Sequence, residues 1–286
     1  MVNFNGQLVD EALNYLNHNN RGLRYGDALF EAMRVVNGHI YFLEDHYLRL
    51  MSSMRILRME IPMAFTLEFF EEEILKTIAS SNLSESAVRV RFTVFRNNGG
   101  LYEPKTNDVS YIIEVKELAN QFYTLQDGSY EVELYKDFYI NKDMLSNLKS
   151  SNRIINVVGS IFAKENDYEN CLLLNHEKQV VEALNGNLFL VSGNKIKTPS
   201  LKDGCLDGIL RKKLIEILVK LEEYEFVEEH ISPFELQKAD ELFITNAISG
   251  IISITKYRKK NFKNTVSSSL IGTLNASARL GVFKPS

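Results

Sequence analysis

The stretch SAVRVRFTVF (residues 86–95) alternates strictly between side chains that face opposite sides of an extended backbone. A period of two is typical of a β-strand with one buried face. The pattern therefore predicts a sheet that packs one face on a core and leaves the other face for polar groups. The first face carries Val88, Val90, Phe92 and Val94, and the second carries Arg89, Arg91, Thr93 and Phe95.

Shorter patterns around this strand predict a small α/β domain over residues 1–118. Residues 2–9 indicate a hairpin, and residues 28–42 indicate two strands joined at Asn37-Gly38, a pair typical of tight turns. Apolar residues at three- and four-residue spacing after Leu43 predict a helix that ends before Pro62. A helix across TLEFFEEEILKTIASS and a strand at VSYIIEVKEL complete an α+β pattern.

The polar stretch ANQFYTLQDG (119–128) is predicted to be an interdomain linker, and residues 129–286 are predicted to form a large domain. Strands are predicted at YEVELYKDF, CLLLN, VVEALNGNLFLV and EFVEEHI, with a strand pair in ELFITNAISGIISI. Helices are predicted over Ile154–Glu165, from Gly208 through ILRKKLIEILVKLEE, and in ISPFELQKA, where Pro lies near the first turn.

Composition excludes several classes of function. The formal net charge is −4, so the chain has no basic excess with which to bind nucleic acid. The N-terminus does not resemble a signal peptide, and no stretch has the length of apolar sequence that a membrane span needs. The five histidines and two cysteines form no metal-ligand spacing, so no metal is expected. We therefore expect a soluble, cytoplasmic protein.

Four places could carry chemistry, although each also has a structural explanation. Gly208 precedes a helix start, where unpaired N–H groups and the helix dipole favour a phosphate, yet ordinary loop–helix junctions look the same. Arg49 and Lys149 taken alone are typical of surface residues. Glu182 interrupts an apolar strand, so its carboxylate either faces solvent or pairs with a cation.

These four places occur in the order found in the class-IV aminotransferase family, which the chain resembles over roughly residues 3–280. That family contains branched-chain and D-amino-acid aminotransferases and 4-amino-4-deoxychorismate lyases. The resemblance implies a two-domain, fold-type IV enzyme of pyridoxal 5'-phosphate, whose larger domain is built on a β-barrel-like sheet. It also implies a homodimer. The matching motifs are RGLRYGDALFEAMRVVNGHIYFLEDHYLRL, LKSSNR, VVEALNGNLF, LDGILR and DELFITNA.

The resemblance assigns roles to individual residues. Lys149 matches the catalytic lysine that forms a Schiff base with the cofactor and carries a proton during the reaction. Arg49 matches the arginine on the cofactor phosphate, and Glu182 matches the glutamate on the pyridine nitrogen. The other cofactor-binding positions that the match implies are Asn187, Gly208, Ile209, Leu210, Asn246, Ala247 and Arg153.

The subfamily is less constrained by the motifs. Arg153 makes KSSNR resemble the lyase motif, because several transaminases carry Tyr or Leu at this position. By contrast, Leu101 in NNGGLY replaces an arginine that the corresponding lyase motif contains. Leu101-Tyr102-Glu103 also lacks the Arg-x-His pair of D-amino-acid enzymes, and FEAMR resembles the branched-chain enzymes with Ala32 in place of glycine. The candidate substrate-binding residues are Tyr25, Phe30, Arg34 and Tyr102, with Tyr25 and Phe30 alternatively core residues and Arg34 alternatively a salt-bridge residue on the sheet.

The sequence thus predicts a transaminase that moves an amino group between an amino acid or amine and a keto acid such as 2-oxoglutarate. The first alternative is a lyase that converts 4-amino-4-deoxychorismate into 4-aminobenzoate and pyruvate. The second alternative is a binding module that keeps the fold without catalysis, which the matched lysine, glutamate and arginine disfavour.

Overall fold

The computed structural model of the protein describes residues 1–280, and these residues form two compact units. The N-terminal unit consists of Met1–Gln121, Lys149–Asn152 and the described residues from Ala278. The second unit consists of Phe122–Leu148 and Arg153–Ser277. The predicted α+β class is confirmed. The predicted boundaries 1–118, 119–128 and 129–286 stay a prediction, and residues 281–286 of the last range lie outside the described residues.

The N-terminal unit contains a six-stranded sheet whose strand pairs are all antiparallel. The strand order is β2-β1-β6-β5-β3-β4. The strands are β1 (Val2–Phe4), β2 (Gln7–Val9), β3 (Ala28–Val36), β4 (His39–Ile40), β5 (Ala87–Arg96) and β6 (Val109–Leu118). The helices are α1 (Arg21–Tyr25), α2 (Leu43–Ile56) and α3 (Leu67–Ser80).

Local chemistry explains these elements, and the corresponding predictions are confirmed. Asn37 and Gly38 both have positive φ angles, 49° and 77°, which a two-residue hairpin turn requires. The apolar face predicted for β5 is fully buried. It packs in a cluster of aromatic rings with α3 and β6, in which the Phe92 centroid lies 4.4 Å from Phe70 and 5.3 Å from Tyr111. Burial of each such ring stabilises the unit by about 1.5–3 kcal/mol.

The second unit is built from two five-stranded sheets with helices around them. The strand orders are β12-β11-β10-β13-β14 and β16-β15-β7-β8-β9. The strands are β7 (Glu131–Ile140), β8 (Asn170–Asn175), β9 (Val180–Ala183), β10 (Asn187–Ser192), β11 (Lys195–Thr198), β12 (Glu225–Glu228), β13 (Glu241–Asn246), β14 (Gly250–Ile254), β15 (Lys256–Tyr257) and β16 (Lys260–Asn261). The helices are α4 (Ile154–Glu165), α5 (Ile209–Leu218) and α6 (Pro233–Lys238), and α7 (Thr265–Leu280) follows β16.

The two sheets of the second unit enclose one core. A bridge between Ala183 and Gly186 links β9 to β10, and β14 is followed within two residues by β15, so each sheet continues into the other. The predicted barrel-like architecture is confirmed. Both sheets contribute to the enclosed apolar cluster, which includes Val132, Leu134, Leu172, Leu174, Leu188, Leu190, Leu242, Ile244, Ile252 and Ile254.

The strand predicted at EFVEEHI ends at Glu228, and two other predicted elements are also shorter than the sequence patterns indicated. The run VVEALNGNLFLV divides into β9 and β10, because the Ala183 N–H donates to the Gly186 carbonyl and closes a turn. Helix α5 ends at Leu218 rather than at residue 223. The Lys220 and Leu221 N–H groups bond three residues back, to Ile217 and Leu218, which tightens the helix end and releases the chain toward β12. Apolar periodicity alone does not encode either break.

Over residues 1–280, no helix combines the length and apolar character that crossing a membrane requires. The same residues contain no group of three or more His, Cys, Asp or Glu side chains arranged to hold a metal ion.

Candidate functional site

Lys149 lies on a short extended segment that is hydrogen-bonded to β3. The Phe30 N–H donates to the Lys149 carbonyl at 2.8 Å, and the Ser151 N–H donates to the Ala28 carbonyl at 2.9 Å. The Lys149 amine lies 4.7 Å from the centre of the Phe30 ring. Backbone pairing therefore fixes the lysine beside β3 and keeps its amine partly buried, which distinguishes it from the surface lysine that its local sequence resembles.

Arg91 of β5 lies beside the same aromatic ring. Its guanidinium carbon is 3.8 Å from the Phe30 ring centre, and its Nε lies 3.2 Å from the Thr93 hydroxyl. Burial lowers the pKa of Arg91 from its ordinary value, although a guanidinium stays charged at neutral pH. The sequence placed Arg91 on the open face of β5 but did not single it out, because the neighbour that matters, Phe30, is on another strand.

Arg49 of α2 is held by a buried carboxylate on β3. Its Nε donates to Glu31 Oε1 at 2.8 Å, its Nη2 donates to Oε2, and His46 Nδ1 lies 2.6 Å from Oε2. Burial alone would raise the pKa of Glu31, but the positive charge of Arg49 and the His46 hydrogen bond lower this pKa to about 2. Glu31 is thus ionised and orients the Arg49 guanidinium.

Glu31 and His46 are site neighbours that the sequence patterns missed. A glutamate inside the apolar strand ALFEAMRVV was the available signal, because a buried carboxylate needs a cationic partner. Burial lowers the pKa of His46. Within the described residues, its Nε2 is buried and has no hydrogen-bond partner.

In the second unit, Glu182 and Asn187 hold the same peptide segment ahead of α5. Glu182 is 5% exposed, and its Oε2 accepts a hydrogen bond from the Leu206 N–H at 2.8 Å. Asn187 is 3% exposed, and its Nδ2 donates to the Leu206 carbonyl at 2.8 Å. Of the two alternatives predicted for Glu182, exposure to solvent is excluded, and the buried carboxylate instead helps to fix the loop that leads to the predicted phosphate site.

Gly208 is the N-cap residue of α5, and its lack of a side chain is a packing requirement. A Cβ at this position would lie 2.0 Å from Asn187 Oδ1. Among the residues that the structure describes, no side chain caps the first turn of α5, and that turn contains no acidic residue. The N–H groups of Ile209 and Leu210 thus belong to a first turn that has neither an acidic residue nor a side-chain cap, which suits a phosphate.

Asn246 and Ala247 form a fixed turn at the end of β13. Asn246 Oδ1 accepts hydrogen bonds from the Ile248 and Ser249 N–H groups, at 3.1 and 2.8 Å. The Tyr123 hydroxyl donates to the Ala247 carbonyl at 2.9 Å. Because Asn187 is in register with Thr245 on the neighbouring strand, this turn begins beside Asn187. The second unit therefore brings together the predicted residues of β9, β10, α5 and β13.

Arg153 is the N-cap residue of α4 and donates from Nη2 to the Leu148 carbonyl at 2.7 Å. This contact shapes the backbone immediately before Lys149. The cofactor-binding role that the resemblance implied for Arg153 stays a prediction.

The four predicted substrate residues separate into three places on the N-terminal unit. The Tyr25 and Tyr102 rings are in contact, with centroids 5.6 Å apart, and Tyr102 is 87% exposed. Phe30 lies with Lys149. Arg34 is buried farther along β3, where it donates to the Asn120 carbonyl. Four residues of extended chain separate it from Phe30 by about 13 Å, so the structure does not bring Arg34 to the Phe30 ring.

Comparison with known proteins gives one matching family model, "Amino-transferase class IV", over residues 28–257. A protein of Methanocaldococcus jannaschii named "Putative branched-chain-amino-acid aminotransferase" is 30% identical over 257 residues, covering 88% of this chain and 86% of its own length. A D-alanine aminotransferase of Staphylococcus epidermidis is 24% identical over 290 residues, covering 99% of this chain and 96% of its own length.

Solved structures show the same fold. A branched-chain aminotransferase from Thermoproteus uzoniensis, solved with norvaline, superposes with a TM-score of 0.87 at 24% identity, over 98% of this chain and 94% of that one. A 4-amino-4-deoxychorismate lyase from Pseudomonas aeruginosa superposes with a TM-score of 0.78 at 22% identity, over 99% of this chain and 98% of that one. At these identities the likeness concerns the fold alone, which both kinds of enzyme share.

Proposed function

The chain belongs to the class-IV aminotransferase family, and we propose that it binds pyridoxal 5'-phosphate through Lys149 and transfers an amino group between an amino acid and a keto acid. The observation that carries this proposal is the placement of Lys149. Its segment is paired with β3, and its amine lies against the Phe30 ring, 4.7 Å from the ring centre. An amine fixed in this way can attack a carbonyl carbon in one orientation.

The residues present fit the cofactor at its two polar ends. The α5 N-terminus, kept open by Gly208, offers N–H groups to a phosphate, and Arg49, oriented by Glu31, offers a guanidinium. Glu182, which is buried and fixed by the Leu206 N–H, offers a carboxylate to a protonated ring nitrogen. Asn246 and Ala247 would complete the phosphate site, and Asn187 would keep the Leu206 segment in place.

When bound, pyridoxal 5'-phosphate supplies an electron-accepting ring that stabilises negative charge at the substrate Cα. Lys149 then acts as the acid–base group, because its amine can take the proton from Cα and return it at the carbon that receives the amino group. Glu182 would offer its carboxylate to the ring nitrogen and so favour the protonated form of that nitrogen. Arg49 of the N-terminal unit and the α5 N-terminus of the second unit each offer groups that would bind a phosphate.

Arg91 supports a substrate that carries a carboxylate. Its guanidinium and the Lys149 amine both lie beside the Phe30 ring, and Glu114 Oε2 lies 3.8 Å from Arg91 Nε. We expect this partly paired positive charge to attract a substrate carboxylate toward the lysine. Amino acids and keto acids carry the complementary carboxylate, and a dicarboxylic acceptor such as 2-oxoglutarate carries two. The relatives named as branched-chain and D-alanine aminotransferases support an amino acid as the donor. A homodimer follows from the family resemblance and stays a prediction.

The first experiment tests Lys149 as the covalent anchor. Borohydride reduction of the cofactor-loaded protein, followed by peptide mass spectrometry, should place the added mass on the peptide that contains Lys149. Lys149→Ala should lose this label and lose amino-group transfer by at least about 10³-fold, since nucleophilic and proton-transfer roles disappear together. Lys142→Ala, seven residues earlier in the chain and salt-bridged to Glu177, is the matched control and should behave as wild type. Label on any other lysine contradicts the proposal.

The second experiment separates transaminase from lyase. In single half-reactions with individual amino acids, monitored by cofactor absorbance, the cofactor should change from its aldehyde form to its amine form. The matching keto acid should be released. Incubation with 4-amino-4-deoxychorismate should release no pyruvate when keto acids are omitted. Release of pyruvate and 4-aminobenzoate under those conditions would contradict the transaminase proposal and support the lyase alternative.

A further inference from the structure

The loop between β5 and β6 folds back on itself in the N-terminal unit. Gly99 and Gly100 have φ angles of +124° and +74°, which side chains rarely adopt, and a Cβ on Gly100 would lie 2.0 Å from the Glu103 carbonyl oxygen. An isolated bridge joins Gly100 to Pro104. The loop therefore has one compact turn, whose tip carries Leu101 and Tyr102, 71% and 87% exposed.

A single buried arginine holds the backbone of this loop. Arg21, at the start of α1, is 4% exposed. Its Nη1 donates to the carbonyls of Gly99 at 3.0 Å and Leu101 at 2.6 Å, and its Nη2 donates to the carbonyl of Tyr102 at 3.1 Å. The planar guanidinium has a fixed set of donors, so three carbonyl groups bound to it have fixed positions relative to one another.

The same arginine is fixed in turn by a carboxylate that also reaches the base of the loop. Arg21 Nε donates to Asp27 Oδ2 at 2.9 Å, and Arg96 Nε donates to the same oxygen at 2.9 Å. Arg96 is the last residue of β5 and also donates to Asn107 Oδ1 at 2.6 Å, just before β6. Asp27 thus connects Arg21, which binds the loop tip, with Arg96, which lies at the loop base.

Tyr102 depends on this arrangement for its position. Its ring touches Tyr25, which also lies under the Arg21 guanidinium at 5.0 Å. Because the Tyr102 side chain is exposed, neighbouring packing contributes little to its placement, and the backbone held by Arg21 decides where the ring lies.

We propose that Arg21 is a specificity-determining positioning residue that holds the loop 97–104 in one conformation and thereby presents Leu101 and Tyr102 to the substrate. This inference rests on the proposed function and on the sequence-based prediction that Tyr102 contacts the substrate. Arg21 touches no reacting group and acts through the loop backbone. Its loss should therefore change substrate recognition while leaving the cofactor in place.

The experiment compares Arg21→Gln with Arg24→Gln in the cofactor-loaded enzyme. Arg24 also lies over the Tyr25 ring, at 5.4 Å, but it is exposed and is only within 3.5 Å of Asn19 Oδ1, so it is a matched control. R21Q should raise KM for the preferred amino acid at least tenfold, with kcat reduced much less and selectivity between amino acids diminished. Cofactor absorbance and cofactor affinity should equal those of wild type. R24Q should match wild type in every respect.

Limited trypsin digestion gives a readout that does not depend on catalysis. Lys105 follows the turn closely, so cleavage after Lys105 should be at least fivefold faster in R21Q than in wild type or R24Q, as mass spectrometry of the fragments would show. Unchanged KM and unchanged cleavage in R21Q would overturn the proposal. An equal loss of cofactor affinity and thermal stability would also overturn it, because Arg21 would then support the whole unit.

Asp27→Asn provides a second variant if R21Q does not fold. It keeps the arginine and weakens its fixation, so the proposal predicts the same pattern with a smaller rise in KM and in cleavage rate. Wild-type behaviour of D27N in both measurements would overturn the proposal. If no amino acid is converted by wild type, the proposed function fails, while faster cleavage in R21Q would still separate that failure from the positioning role.

Discussion

Two helices of the second unit differ in whether side chains cap the unpaired N–H groups of their first turn. Helix α6 begins with a capping box, in which Ser232 accepts from the first turn and Glu235 accepts from the Ser232 N–H at 2.8 Å, with Pro233 as its first residue. Helix α5 begins with Gly208, and no described side chain caps it. The first helix supplies its own anion, whereas the second has none in its first turn.

This difference separates a helix end that is capped by its own side chains from one whose N–H groups are open to a ligand. A capping box satisfies the helix and leaves nothing for a ligand, so it contributes to stability alone. At α5, the side chain that would cap is replaced by glycine, and Asn187 occupies the space where a Cβ would lie. Helix α5 therefore lacks the stability of a side-chain cap at a helix end where the proposed function needs a phosphate.

The largest effect is expected for Gly208→Ala. The new Cβ overlaps Asn187 Oδ1, which cannot move freely because Asn187 is buried and bonded to the Leu206 carbonyl. The start of α5 must shift, so cofactor affinity should fall by about 10²-fold, roughly 2.7 kcal/mol, as measured by absorbance titration. Asn187→Ala in the same protein removes the overlap and should restore part of the affinity. If Gly208→Ala bound the cofactor with wild-type affinity, the proposed role of the α5 N-terminus in phosphate binding would be wrong.

An intermediate effect is expected from inorganic phosphate added to the cofactor-free protein. At ten times its dissociation constant, a ligand that binds the native state stabilises it by about 1.4 kcal/mol. Thermal unfolding should shift upward with phosphate but not with chloride at equal ionic strength, and Gly208→Ala should reduce this shift. A shift that is the same in wild type and in Gly208→Ala would locate the bound anion elsewhere.

The smallest effect is expected for Ser232→Ala. Loss of an N-cap side chain costs about 1 kcal/mol of unfolding free energy, measured by urea denaturation. Cofactor affinity and the phosphate-dependent shift should equal those of wild type, because the first turn of α6 is satisfied by its own capping box and has no role in the proposed phosphate site. A change in cofactor affinity comparable to that of Gly208→Ala would show that helix α6 also supports the binding site.

The elements that could be predicted from the sequence are those with a local cause. Strand β5 follows from alternation, the β3–β4 turn from Asn37-Gly38, and α6 from the proline near its first turn. The ends of β9 and α5 could not be predicted, because the Ala183–Gly186 turn and the tightened end at Leu218 replace one backbone hydrogen bond by another without a change in apolar pattern.

Candidate site residues divide in the same way. Lys149, Arg49, Glu182 and Gly208 were found through motifs, and their roles stay a prediction. Glu31, Arg91 and Arg21 were not identified as parts of a site, since each gains its meaning from a partner distant in sequence: Arg49, Phe30 and the carbonyls of residues 99–102 respectively.

The sequence by itself determined the family, the α+β class and the residue types available for chemistry, because side-chain period, turn pairs and motifs are local properties. Tertiary structure alone decided that a glutamate in β3 orients an arginine in α2, that an arginine before β3 holds a loop after β5, and that Asn187 obliges position 208 to be glycine. These are contacts between residues from 18 to 81 positions apart, and only packing brings such side chains within hydrogen-bonding distance.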